Sequence, residues 1–269
     1  MDNRLAIEIK DGVADVRLVR ADKMNALDDR MFEALVAATE RLSNEKGLRA
    51  VVLSGEGRAF CAGLDMGRFA AMKDSGGNGI PGGEKRDLTV RTHGKANFAQ
   101  QAVWGWRQLP VPVIAAVHGV AYGGGFQLAL GADMRYVAPD TKMSIMEIKW
   151  GLVPDMAGTP ILATLMRDDI LRELTYTGRV FSPEEGQAYG LVTRICADPR
   201  AAALETAREI AGKNPDAVRA AKRMLNNLSV DPGPALLAES VEQQKLIGSP
   251  NQLESVRANI EKRAPKFAD

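Results

Sequence analysis

Pro112-Val113-Ile114-Ala115-Ala116-Val117-His118-Gly119-Val120-Ala121-Tyr122-Gly123-Gly124-Gly125-Phe126-Gln127 joins a short apolar run to a glycine-rich bend and the start of a second apolar segment. The run is bounded by prolines and has the length of a buried strand. Phe126-Gln127-Leu128-Ala129-Leu130 suits a buried helix. Three successive glycines let the backbone approach another group closely and take torsions that other residues avoid. The first turn of a helix carries N–H groups without internal partners, and the helix dipole makes them a site for negative charge. A tight turn whose glycines serve only packing is the other reading, and glycine alone does not decide between them. No charged residue lies between Arg107 and Asp133. A membrane helix needs ~20 unbroken apolar residues. Pro110, Pro112, His118, Gln127 and the glycines interrupt that span, so no membrane segment is expected.

Upstream, Ala50-Val51-Val52-Leu53-Ser54 reads as another buried strand, ended by Gly55-Glu56-Gly57. Ala59-Phe60-Cys61-Ala62-Gly63-Leu64-Asp65 follows as a small-residue turn leading into a helix. Strand, turn and helix start therefore occur twice, near residues 64 and 124. Each would aim free amides outward, and two such turns can point at a single oxygen.

The rest of the chain frames these turns. Ala6 to Val19 alternates around Asp11-Gly12, a favoured two-residue hairpin turn. Asp28 or Asp29 caps a helix to about Asn44, with Met31, Leu35, Ala38 and Leu42 on one face. Residues 73–86 are glycine-rich and read as a mobile rim or lid. Asp87 to Gln108 reads as one helix, with at least one of Trp104 and Trp106 in the core. Met134–Ala138, Lys142–Ile145 and Leu191–Ile195 read as strands. Thr159-Pro160 and the capping box Ser182-Pro183-Glu184-Glu185 open helices. Only helices follow Asp198-Pro199: 199–213, 215–227, 233–247 and 250–263. The chain is accordingly divided into residues 1–197 and a helical region 198–269. That helical region has apolar faces and no sheet to cover, which makes it a candidate oligomer surface.

At 269 residues, with 45% hydrophobic and 26% charged residues, the composition is that of an ordinary globular protein. A net charge of +1 implies no nucleic-acid groove. Two cysteines, Cys61 and Cys196, form no framework and suit a reducing cytoplasm. The first residues hold no apolar signal core. Two histidines and no cysteine cluster suggest no metal site.

Glu147 ends the apolar run Ser144-Ile145-Met146. It is open to two readings, a carboxylate desolvated for proton transfer or a strand-end glutamate reaching solvent. Asp155 is either a second acid or a turn residue in Gly151-Leu152-Val153-Pro154-Asp155. Gln127 can donate and accept hydrogen bonds but exchanges no proton at neutral pH. Cys61 is flanked by apolar residues and reads as packing. No Walker loop, nucleophile elbow or dinucleotide fingerprint is present.

Taken together, Ala59–Asp65, Pro112–Gly119, Gly123-Gly124-Gly125 and Gly151-Leu152-Val153-Pro154 resemble the crotonase family of enoyl-CoA hydratases and isomerases. Lys23-Met24-Asn25-Ala26-Leu27, Ser182–Val192 and the tail Glu261–Phe267 extend the resemblance over essentially the whole chain. It implies an α/β fold, a spiral of ββα units with a C-terminal helical trimerisation region, as a trimer or dimer of trimers. It implies an acyl-CoA thioester as substrate, with coenzyme A entering as part of it and no separate cofactor. The oxyanion hole would be the N–H groups of Leu64 and Gly124, and CoA contacts would fall on Lys23, Ala26, Ala62, Leu64 and Asp65. Family hydratases use two glutamates, at the positions of Gln127 and Glu147; here only the second is kept. Dienoyl-CoA isomerases more closely resemble the region with an acid at Asp155, but their third acid, at the Gln127 position, is missing. The resemblance thus implies Glu147 as main acid/base, Asp155 as second proton-transfer group and Gln127 orienting substrate or water. Double-bond isomerisation is the leading reading. Hydration of a 2-enoyl-CoA with Gln127 holding water, and a non-catalytic acyl-CoA-binding scaffold, are the alternatives.

Overall fold

The computed structural model describes residues 4–67, 87–226 and 232–263. The glycine-rich stretch 73–86, read above as a rim or lid, lies outside the described residues.

Strands β1 (Leu5–Lys10) and β2 (Val13–Leu18) form the expected antiparallel hairpin. Asp11 and Gly12 both have positive φ, 51° and 77°, as a two-residue turn that follows the strand twist requires. Helix α1 (Asp29–Ser43) follows, with the Asp28 carboxylate accepting from the Met31 N–H at 2.9 Å. Met31, Leu35, Ala38 and Leu42 are all buried along its inner face.

Strands β3 (Ala50–Gly55), β4 (Val113–Val117), β6 (Met134–Val137) and β8 (Arg194–Ile195) complete a six-stranded sheet of order β1-β2-β3-β4-β6-β8. Every pairing after the hairpin is parallel. Strands β5 (Val120–Tyr122) and β7 (Lys142–Ser144) pair in a second, small parallel layer. Single bridges extend that layer: Leu27 to Leu64, Cys61 to Ala121 and Met143 to Phe181. The chain visits the large sheet, then the small layer, then a helical turn. It does so at β3, Cys61–Leu64 and the helix start at Met66; at β4, β5 and α3 (Gly124–Leu130); and at β6, β7 and a 3-10 turn, Glu147–Trp150. This is the spiral of ββα units. The Cys61–Ala121 bridge brings the two small-residue turns side by side.

The large sheet is buried on both faces, so its strands are near-continuous apolar runs. Val51 and Leu53 face a core that includes Leu35, Trp106 and Leu128. Ala50 and Val52 face the other way, onto Ala203 and Ala207 of α7 (Pro199–Ala211). The expectation that the helical tail has no sheet to cover is therefore wrong for its first helix. Small residues in the sheet (Ala50, Ala116) and in the helix let the two surfaces approach closely. Helices α8 (Pro215–Asn226), α9 (Gly233–Leu246) and α10 (Pro250–Ile260) complete the chain. Helix α10 braces the Glu147–Trp150 turn, where Asn259 Nδ2 donates to the Lys149 carbonyl at 2.7 Å.

Four local expectations need correction, the first being the strand read over Leu191–Ile195, of which only Arg194–Ile195 pairs. The helix read from Asp87 begins at Phe98: α2 is Phe98–Gln108. A reciprocal capping box between Asn97 and Gln100 starts it there, while a bridge between His93 and Ala96 bends the preceding chain. Trp106 is fully buried and Trp104 packs at the margin of the core. Helix α4 (Gly158–Leu165) has Ala157, with φ 64°, at its N-cap position, so Thr159 lies inside the first turn and not at the cap. Its first N–H, at Gly158, is satisfied from another helix, by Gln127 Oε1 at 2.9 Å. Glu147 opens a 3-10 turn instead of closing a strand, since β7 ends at Ser144. Helix α5 (Asp168–Thr177), unanticipated, buries only Leu174. Helix α6 (Pro183–Ala188) carries its Ser182–Glu185 box as read. Among the described residues no helix is long and apolar enough to cross a membrane.

Candidate functional site

The two turns meet backbone to backbone. At Gly63, φ is 90°, and a Cβ would lie 2.6 Å from the Tyr122 carbonyl oxygen and 3.8 Å from the Gly124 nitrogen. No side chain fits between them. Leu27 donates to the Gly63 carbonyl at 2.8 Å and accepts from the Asp65 N–H at 3.1 Å. In such a parallel bridge the N–H of the intervening residue, Leu64, points away from Leu27, toward the side occupied by β5. Gly124 is the first residue of α3, so its N–H has no partner within the helix. Leu64 and Gly124 both line one cavity of about 900 Å³.

Of the residues singled out in the sequence, Lys23, Ala26, Ala62, Leu64, Asp65, Gly124, Glu147 and Asp155 all line this cavity, and Gln127 does not. The Glu147 side chain is buried against Gly123, where a Cβ would sit 3.3 Å from its Oε1. Oε1 accepts from Gln127 Nε2 at 2.6 Å, and Oε2 is buried with no hydrogen-bond partner among the described residues. Burial dominates and pushes the carboxyl up to about 7; the Gln127 bond opposes this and the nearby Asp155 charge adds to it. A carboxyl group near neutrality exchanges protons readily in both directions.

Gln127 stands behind this carboxylate. Its Oε1 accepts from the Met156 and Gly158 N–H groups, each at 2.9 Å. One amide thus caps α4, fixes the loop that follows Asp155 and holds Glu147. Cys61 is buried and its thiol is pushed up to about 12 by burial, which suits packing rather than attack.

A sequence profile of the family described as enoyl-CoA hydratase/isomerase matches residues 8–269. The chain belongs to this family. It is therefore an enzyme of the crotonase superfamily. It is 30% identical over 264 residues to the mitochondrial methylglutaconyl-CoA hydratase of Mus musculus, covering 95% of this chain and 79% of that one. It is 29% identical over 262 residues to the 1,2-epoxyphenylacetyl-CoA isomerase of Escherichia coli K12, covering 96% of each. The solved enoyl-CoA hydratase/isomerase of Pseudoalteromonas atlantica superposes with a TM-score of 0.84 at 27% identity, covering 98% of this chain and all of that one. Hydratase and isomerase names occur at the same distance, so similarity does not choose the reaction.

Around this crotonase cavity the structure adds residues that the sequence did not signal. Arg20 Nη1 donates to Asp65 Oδ2 at 2.5 Å and to the Ala26 carbonyl at 2.9 Å, tying two of the expected CoA contacts together. Asp65 Oδ1 also accepts from the Gly67 N–H at 2.7 Å. Arg20 lies 45 positions from Asp65, and nothing local in the sequence relates them. Tyr122, Trp150, Met156, Gln243 and Ile247 also line the cavity.

Proposed function

We propose that this enzyme binds an acyl-CoA thioester and moves a double bond along its acyl chain. In this reading the N–H groups of Leu64 and Gly124 hold the thioester oxygen. Glu147 takes a proton beside the thioester, and the resulting enolate is stabilised by two fixed donors at ~2.7–4 kcal/mol each by analogy with other oxyanion holes. Asp155 exchanges the second proton at a more distant carbon. Lys23, Ala26, Ala62, Leu64 and Asp65 bind the CoA portion, which enters as part of the substrate and not as a separate cofactor.

The observation that carries this reading is the state of Glu147: buried, near neutrality, with one oxygen unpartnered, in the cavity that also contains Leu64, Gly124 and Asp155. The same state weighs against a non-catalytic binding scaffold, for which a buried carboxyl with one oxygen left unpartnered among the described residues is only a cost. Hydration with Gln127 holding water is the second reading. It is less supported, because the Gln127 oxygen already serves two backbone amides and its nitrogen serves Glu147.

Association as a trimer or dimer of trimers, a cytoplasmic site of action, and residues 198–269 as the oligomerising region belong to the same proposal. Exposed Met224 and Leu225 on α8 and Leu237 on α9 support the oligomerising role.

The test offers purified enzyme 3-enoyl-, 2,4-dienoyl- and 2-enoyl-CoA and identifies the products. Shifted double bonds, abolished in Glu147→Gln, are expected. A 3-hydroxyacyl-CoA as sole product would replace isomerisation by hydration, and normal turnover by Glu147→Gln would overturn the assignment of Glu147.

A further inference from the structure

We infer that Gln243 reads an oxygen on the acyl group, so that the enzyme's preferred substrates carry a hydrogen-bond acceptor, such as a hydroxyl or carbonyl, away from the thioester. The inference rests on the cavity being the acyl-CoA site proposed above. Gln243 is on α9 and lines the cavity, yet is only 5% exposed. Its Oε1 accepts from the Val153 N–H at 3.3 Å. A backbone donor fixes which way the amide faces, because only the oxygen can accept. The NH2 group is thereby left with two donors, and no hydrogen-bond acceptor meets it among the described residues.

Buried polar groups are almost always paired, and a donor left bare in a cavity wall is costly when a dry ligand fills the space. A substrate oxygen removes that cost and an aliphatic chain does not. A site built to hydrogen-bond a substrate group discriminates against analogues that lack it. The position suits the acyl portion. Ile247, one helical turn after Gln243, packs against the cluster of Leu152 and Val256 on which Leu64 also rests, so this part of α9 stands on the same apolar wall as one oxyanion residue. Val153, which orients the amide, is two residues from Asp155.

The test measures equilibrium binding, independent of turnover. Calorimetry compares saturated ω-hydroxyacyl-CoAs of four to eight carbons with the unsubstituted acyl-CoAs of equal length. The expected result is about three- to tenfold tighter binding of the hydroxylated ester at one or more lengths. Gln243→Met and Gln243→Leu each remove the amide at similar volume and leave nothing that can donate to or accept from a hydroxyl. In both variants the hydroxyl preference is expected to collapse, with thermal unfolding showing each to be folded. Equal binding of the paired esters by the wild type, or a preference kept by both variants, overturns the inference while leaving the acyl-CoA site standing. Failure of the wild type to bind any of the esters overturns both.

Discussion

Glu147→Gln should raise the stability of the folded protein at alkaline pH while removing activity. In the folded chain, burial raises the Glu147 carboxyl from its ordinary 4.5 to about 7. The unfolded chain releases that proton near 4.5. Between these values the folded state binds more protons than the unfolded state, so stability falls as pH rises through this window and levels off above about 7. A shift of that size corresponds to about 3 kcal/mol of stability present at low pH and absent at pH 8. Glutamine has no such proton to lose. It can still accept from Gln127 Nε2, and its second terminal atom replaces an oxygen that has no partner in the wild type. Urea unfolding of both proteins from pH 4.5 to 8.5, at one fixed protein concentration, gives the difference directly. The variant should gain on the wild type by about 3 kcal/mol across the window, with most of the gain before pH 7.5. Parallel stability curves over the whole range would refute the claim that a buried, near-neutral carboxyl occupies this cavity.

The pH profile of kcat/KM should rise with an apparent pKa near 7, because Glu147 must be ionised to take the first proton; a rise centred below 5 would contradict it. Gln127→Leu leaves the Met156 and Gly158 N–H groups without their acceptor and should cost about 2–5 kcal/mol in urea unfolding. The kinetic pKa of the same variant should move upward, since the bond that favours ionised Glu147 is gone. Arg20→Ala frees Asp65 and the Ala26 carbonyl; steady-state kinetics should show KM for the CoA ester rising about tenfold with kcat little changed, as loss of uniform binding does. Gly63→Ala places a Cβ 2.6 Å from the Tyr122 oxygen at φ 90°, and should lower kcat at least ~10²-fold by separating the two oxyanion turns.

Much of the architecture was legible because its causes are local. Apolar runs bounded by glycine and proline marked the strands β3 and β4, and Asp11-Gly12 marked the hairpin. Ser182 and Glu185 marked a helix start, since a cap is made within one turn of chain. The two glycine-bearing turns, and the family they belong to, were readable in the same way. Helix α2 was misplaced because its start depends on a capping box that hydropathy does not see. The role of α7 was missed because an alanine-rich face says little about what covers it.

What the residues determined alone is the backbone: where it extends, where it turns, and where amides are left without partners. Only the tertiary structure decided which distant groups meet. It put Gln127 between Glu147 and the start of α4, Arg20 on Asp65, and Gln243 against Val153. Those pairings join residues 20 to 90 positions apart, and their geometry is set by the packing of whole elements. The chemistry of Glu147 is of the second kind: a carboxylate is written in the chain, but its proton affinity comes from the water that folding excludes.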